Sequence, residues 1–168
     1  MINQMVMEQL FSTEEHMEEL SELLVQVVED GASVGFLPPL QLPDAMDYWE
    51  DVLSPNVILL VAKRNNRIVG SVQLHLCEKP NGVHRAEIAK LMTHPHYRRN
   101  GIGRSLMEKV EERAIKEGKS LLVLDTREGD PSNLLYTSLG YIPAGKIPNF
   151  AQSETGELQA TIIYYKTI

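Results

Sequence analysis

The chain predicts a mixed α/β fold, with one mainly antiparallel sheet flanked by helices. Three observations carry that reading. Short apolar runs with two-residue alternation are interleaved with amphipathic runs of helical period. Turn signals at Asn65-Asn66 and Pro80-Asn81-Gly82 separate successive strand-like runs closely enough to make hairpins of them. Finally, Arg98-Arg99-Asn100-Gly101-Ile102-Gly103 lies between a strand-like run (Ile88, Ala89, Leu91, Met92) and a helical run that opens at Ile102.

The elements follow in order. Residues 4–10 read as a short first strand. Ser12 and Glu15 have the spacing of a capping box for a helix with Met17, Leu20, Leu24, Val27 and Val28 on one face, ended by Gly31. Gly35, Pro38, Pro39 and Pro43 break the chain before a shorter helix over residues 44–53, in which Trp49 is expected to pack in the core. Residues 57–62 predict a buried strand and 67–77 its alternating partner, with Ile68, Gly70, Val72, Leu74 and Leu76 on one face and Val69, Ser71, Gln73, His75 and Cys77 on the other. Residues 84–93 return as the strand that leads into the arginine and glycine stretch. A third helix is expected over 101–117 with Ile102, Leu106, Val110 and Ala114 inward, then a strand over 120–125, a helix over 132–139, and two strands from Tyr141 onward separated by a loop near 153–156. The sequence has no repeat, low-complexity tract or linker, so residues 1–168 are expected to form one domain.

Composition narrows the function classes. No apolar run approaches the ~20 residues of a membrane span, and residues 1–10 carry no Lys or Arg to start a signal peptide. A cytoplasmic protein is expected. Cys77 is the only cysteine, which excludes an internal disulfide, a zinc ribbon and a paired redox motif. His84, His94 and His96 raise a metal or base role, but His94-Pro95-His96 falls just beyond the strand, so no metal is expected; His16 and His75 offer no sequence argument for function. The net charge of -7 is unevenly divided: twelve Asp and Glu precede the first basic residue, Lys63. That acidic stretch reads first as a solvated helix face, and second as an attraction for a cationic amine. Between Arg85 and Arg104 five basic residues face the single acid Glu87, so a chain unsuited to nucleic acid keeps one patch for a small anion.

The glycine stretch is where that anion fits. Gly101 and Gly103 let the backbone turn and approach a ligand, so that peptide N–H groups and the positive end of a helix dipole face one pyrophosphate, with Arg98, Arg99 and Arg104 adding charge. The dinucleotide fingerprint would need Gly at Leu106, and the Walker loop would need Gly at Arg98 and Lys at Arg104. What remains is an Arg/Gln-x-x-Gly-x-Gly/Ala loop, followed about thirty residues on by Asp125 closing Leu121-Leu122-Val123-Leu124, and then by Asn133, Leu135, Tyr136, Leu139, Gly140 and Tyr141. In these motifs and their order the chain resembles the GCN5-related N-acetyltransferases. It departs from their commonest pattern at Arg99, often Gly, and at Tyr141, often Phe; neither change removes a backbone N–H or the aromatic ring.

The resemblance implies the acyltransferase fold of that family and acetyl-coenzyme A as co-substrate. Its pyrophosphate is then expected on the N–H groups of Arg99, Asn100, Gly101, Ile102, Gly103 and Arg104, with Arg98 and Ser105 adjoining. Its pantetheine arm is expected to pair like a strand with Leu91, Met92 and Thr93, in a cleft between the fourth and fifth strands, with Asn133 bonding the amides. A backbone N–H near Leu91 or Met92 can receive the oxyanion. Alkylamines titrate near lysine's ~10.4, so an acceptor arrives protonated and needs a base. Glu87 and Asp125 are the candidates, alternatively a salt-bridge partner and a strand-end cap. Tyr136 is the family's usual proton donor to the leaving thiolate, and its ring packing is the structural alternative.

Several stretches, among them residues 31–36, 79–82, 85–87, 124–126 and 163–167, are similar to the tabtoxin-resistance acetyltransferases, which acetylate a small amine-bearing toxin. That likeness places Ser33 and Phe36 with Glu87 and Asp125 at the acceptor. Acetylation of a small toxin- or antibiotic-like amine is therefore expected, by direct attack in a ternary complex, with a homodimer as the candidate assembly. Protein N-terminal or lysine acetylation, and a non-catalytic sensor of acetyl-coenzyme A, are the alternatives.

Overall fold

The computed structural model describes residues 4–168. In chain order the elements are β1 (Met5–Leu10), α1 (Met17–Glu29), α2 (Leu42–Glu50), β2 (Val57–Arg64), β3 (Arg67–Leu76), β4 (Arg85–Thr93), α3 (Ile102–Lys116), β5 (Leu121–Arg127), α4 (Ser132–Ser138), β6 (Ile142–Gln152) and β7 (Leu158–Thr167). The strands form one seven-stranded sheet in the order β1-β2-β3-β4-β5-β7-β6. Among the described residues only β4 and β5 run parallel. No described helix is long and apolar enough to cross a membrane.

Each face of the sheet buries its own core. Ile102, Leu106, Met107 and Val110 of α3 and Tyr136 of α4 pack on Leu60, Val72, Leu74, Ile88, Leu122 and Leu124. On the other face Leu20, Leu24 and Val28 of α1 and Ala45 and Trp49 of α2 pack on Leu59, Val61, Ile68 and Met92. Burying each such Leu contributes about 1.5–3 kcal/mol, which outweighs the modest helical propensity of α1 and α2. Trp49 is fully buried, as its place on an amphipathic helix predicts.

Local readings are corrected at four places. Ser12 and Glu15 do not form a capping box: Ser12 Oγ accepts from the N–H of Glu14 at 3.2 Å, and a 3-10 turn over Glu14–His16 precedes α1. The neighbouring Thr13 hydroxyl is drawn inward to donate to the carbonyl of Trp49 at 3.0 Å, tying α1's start to α2. Helix α2 begins at Leu42, before the residues expected, because Pro43 sits in its first turn where a missing N–H costs nothing. Ile68 faces the α1–α2 core and not the face of Val72 and Leu74, because Ala62 pairs with Gly70 and Lys63 with Ile68, leaving Val69 as an extra residue. Finally, β5 runs on to Arg127, so Asp125 lies inside a strand and is not a strand-end cap.

A candidate active site where two strands part

The site begins with an irregularity in β4. Gln73 pairs with Ala89 and Ser71 with Met92, so Lys90 and Leu91 together oppose Val72 alone. Lys90 takes a left-handed φ of 56°, the mark of a bulge that bends its strand. The bend separates β4 from β5. Their parallel pairing covers only Arg85, Ala86 and Glu87 against Leu121, Leu122 and Val123, whereas β5 stays paired with β7 as far as Arg127. Glu87 therefore stands at the last paired position, and beyond it the strands diverge.

Arg98 to Arg104 form the turn at the far end of that divergence. Arg99 (φ 61°) and Gly101 (φ 75°) are left-handed, and the Asn100 amide donates to the carbonyls of Tyr97 at 2.9 Å and Arg98 at 3.1 Å, fixing the bend. The N–H groups of Arg99, Asn100, Gly101, Ile102, Gly103 and Arg104 donate to no partner among the described residues; that of Ser105 is taken by the Gly101 carbonyl at 3.0 Å. The first turn of α3 carries no acidic side chain and no side-chain cap. A Cβ at Gly103 would meet only Leu135 at 3.5 Å and Thr93 at 3.8 Å, ordinary contacts, so internal packing does not demand glycine there. The row of orphan donors at a helix N-terminus suits an anion. Of the arginines, Arg98 is paired with Asp30 and Arg104 donates to Ser138 Oγ at 2.7 Å, while Arg99 is exposed.

At the near end the two faces of the sheet present different chemistry. On the α1–α2 side a cleft of about 250 Å³ is lined by Glu87, Val123, Leu124, Asp125, Thr161, Ile163, Ile147 and Phe150. Asp125 Oδ2 accepts from the Thr161 hydroxyl at 2.8 Å. Lys90 Nζ donates to the carbonyl of Val34 at 2.6 Å, holding the segment between α1 and α2 over this face. Burial lowers the Lys90 pKa, against the opposing pull of Asp125 and Glu87. On the α3–α4 side Tyr136 is buried between the rings of Tyr141 and Tyr164. Burial, then the carboxylates of Asp130 and Asp125, push its phenol well above the usual 10.0.

Not every expected residue is free for a ligand. The Asn133 amide donates to the carbonyls of Arg127 at 2.9 Å and Asp130 at 2.8 Å and accepts from Tyr164 OH at 2.7 Å, so it is committed to the β5–α4 turn. Ile102 and Met92 bury their side chains in the two cores and offer only backbone. Leu91 and Thr93 are half-buried on the diverging part of β4. Ser33 is exposed and outside the cleft lining; Phe36 packs edge-on against Tyr48, ring centroids 5.3 Å apart. Sequence reasoning missed Lys90, Thr161, Ile147 and Phe150, whose places depend on the bulge and on the β6–β7 register. It also passed over His75, which pairs directly with Glu87 across β3 and β4.

The chain matches known proteins in sequence and in fold. The family described as Acetyltransferase (GNAT) matches residues 33–141. An IAA acetyltransferase of Azospirillum brasilense is 27% identical over 128 residues, covering 75% of this chain and 81% of that protein. An acetyltransferase of the GNAT family from Streptococcus pneumoniae superposes with a TM-score of 0.81 at 20% identity, over 98% of this chain and 100% of the other. A protein from Salmonella typhimurium, solved with its cofactor acetyl-CoA, gives a TM-score of 0.77 at 16% identity over 96% of this chain and 93% of the other. The chain belongs to the GNAT acetyltransferase family.

Proposed function

We propose that the protein transfers acetyl from acetyl-coenzyme A to the primary amine of a small molecule, by direct attack while both substrates are bound. The observation that carries this reading is the division of the splay: Glu87 and Asp125 open onto one face, the Tyr136 phenol onto the other. Acetyl-coenzyme A supplies an activated acyl group on a thiol leaving group. The N–H groups from Arg99 to Arg104 would hold its diphosphate, and the unpaired edge of β4 from Leu91 to Thr93 its arm.

The chain's own groups then have distinct tasks. Glu87 and Asp125 attract the ammonium of the acceptor and take its proton, so that a neutral amine is presented. Tyr136 stays protonated and donates to the departing sulfur. The charges also bear on the acceptor: two carboxylates set against the single cation of Lys90 leave one net negative charge, which fits a monocation. Val123, Ile147, Phe150 and Ile163 surround that charge with apolar walls, which favours an amine on an apolar body over a sugar or a polyamine.

The test is thiol release from acetyl-coenzyme A against a panel of amine toxins, aralkylamines, aminoglycosides, polyamines, amino acids and peptides, with mass detection of the acetylated product. Turnover of monocationic small amines is the expected result. Activity on peptides alone would replace this reading with protein acetylation. Tight cofactor binding without thiol release for any acceptor would replace it with a sensor.

A further inference from the structure

Three polar groups on the α1–α2 side of the sheet, Gln73 buried and His75 and Tyr48 half-buried, are linked in a row and have no part in the reading above. His75 Nε2 lies 2.9 Å from Gln73 Oε1, and Gln73 Nε2 donates to Tyr48 OH at 2.9 Å. Gln73 is 1% exposed, and the Tyr48 ring is fixed edge-on between Phe36 and Trp49. With its NH₂ turned to Tyr48, Gln73 presents to the imidazole an oxygen that can only accept. The hydrogen of the neutral ring is therefore on Nε2, which leaves Nδ1 as a free lone pair.

His75 is the direct cross-strand partner of Glu87. Such partners point to the same face, with Cβ atoms roughly 4.5–5.5 Å apart. A buried amide that joins a phenol to an imidazole beside the candidate base is an arrangement that packing alone does not require.

We infer that His75, oriented by Gln73 and Tyr48, is a relay residue of the acetyl-transfer site, taking onward to solvent the proton that Glu87 removes from the acceptor. The inference rests on the small-amine reading. The protons balance as follows. One proton of the ammonium passes to Glu87, to His75 Nδ1 and out. The nitrogen lone pair then forms the bond to the acyl carbon as the carbon–sulfur bond breaks. Tyr136 protonates the sulfur, and the nitrogen's second proton, lost as the amide forms, replaces the one Tyr136 gave up. Each turnover thus releases one proton. The groups that face His75 are Glu87 and Lys90 on β4, Gln73 on its own strand and Tyr48 on α2. Burial lowers its pKa from 6.5, Glu87 opposes this and Lys90 adds to it, so the ring is neutral and able to accept at pH 7.

The test compares wild type with His75→Ala and His75→Gln. Glutamine keeps a donor toward Gln73 but cannot carry a proton. Both variants should keep the wild-type KM for acetyl-coenzyme A and lose kcat by about 100-fold, the lower range for general acid–base catalysis. Added imidazole should restore turnover to His75→Ala, and the acid limb of the wild-type kcat/KM profile, below pH 6.5, should vanish in His75→Gln. If His75→Gln keeps wild-type kcat and the acid limb, or if imidazole fails to rescue a folded His75→Ala, the relay is overturned alone. A wild type inactive on every amine overturns the small-amine reading and the relay together.

Discussion

Tyr136 separates chemistry from packing at the residue scale. Tyr136→Phe retains the ring between Tyr141 and Tyr164, so kcat should fall by about 100-fold or more with KM for acetyl-coenzyme A unchanged; steady-state kinetics check this, and an unaltered rate would remove the phenol as the acid. The same group affects stability. Its folded pKa is raised above 10.0 by burial first and by Asp130 and Asp125 after it. The stability it contributes is therefore full below pH 10 and declines as pH climbs from there toward the folded value. Denaturant midpoints between pH 9 and 11 should fall less for Tyr136→Phe than for wild type. Glu87→Gln and Asp125→Asn should each lower kcat/KM for the amine, and the double variant should lose less than the product of the two, since both carboxylates act on one ammonium. Glu87, Asp125 and Tyr136 were open to nomination from the sequence as candidates, Glu87 because it lies on the strand that leads into the glycine turn, Asp125 and Tyr136 because they belong to the second motif. His75 was not, because its relation to Glu87 exists only in the β3–β4 register.

Among the elements, β4 decides whether there is a site at all. The extra residue at Lys90 ends pairing with β5 after Glu87. Deleting Lys90 removes the bulge, so β4 and β5 should zip further, and the shortened protein should fold but bind acetyl-coenzyme A at least about 100-fold more weakly by calorimetry. The turn before α3 makes a matching prediction. Gly103→Val, placed where only Leu135 and Thr93 approach, should keep the native circular dichroism spectrum and abolish that binding heat. The element order was fully legible from period and turn signals. The bulges were not: no glycine or proline adjoins Lys90, and at Val69 the neighbouring Gly70 was absorbed into the two-residue alternation, so the face assigned to Ile68 was lost. Pro43 misled in the opposite direction, because a proline that stops one helix equally opens another.

The whole sheet consists of two halves, β1 to β4 and β5 to β7, whose strands meet through a short parallel ladder at one end only. A ligand seated in the splay would join them. Acetyl-coenzyme A at 100 times its Kd should stabilise the protein by about 2.7 kcal/mol, or raise Tm by roughly 5–10 °C for a chain of this size; scanning calorimetry reads this, and amide exchange should slow most along the second half of β4. The sheet was anticipated from alternation, but the length of the chain pointed to one core, and the two separate cores on its faces were not foreseen. The cleft beside Glu87 was less legible, because Ile147 and Phe150 reach it from β6 only through the registers of β6 on β7 and β7 on β5.

The most direct measurement is a crystal structure of the protein grown with acetyl-coenzyme A. Density for the diphosphate on the N–H groups of Arg99 to Arg104, with the acetyl carbon between Glu87 and Tyr136, is the predicted result. A cofactor bound elsewhere, with that turn empty and β4 paired to β5 past Glu87, would contradict it.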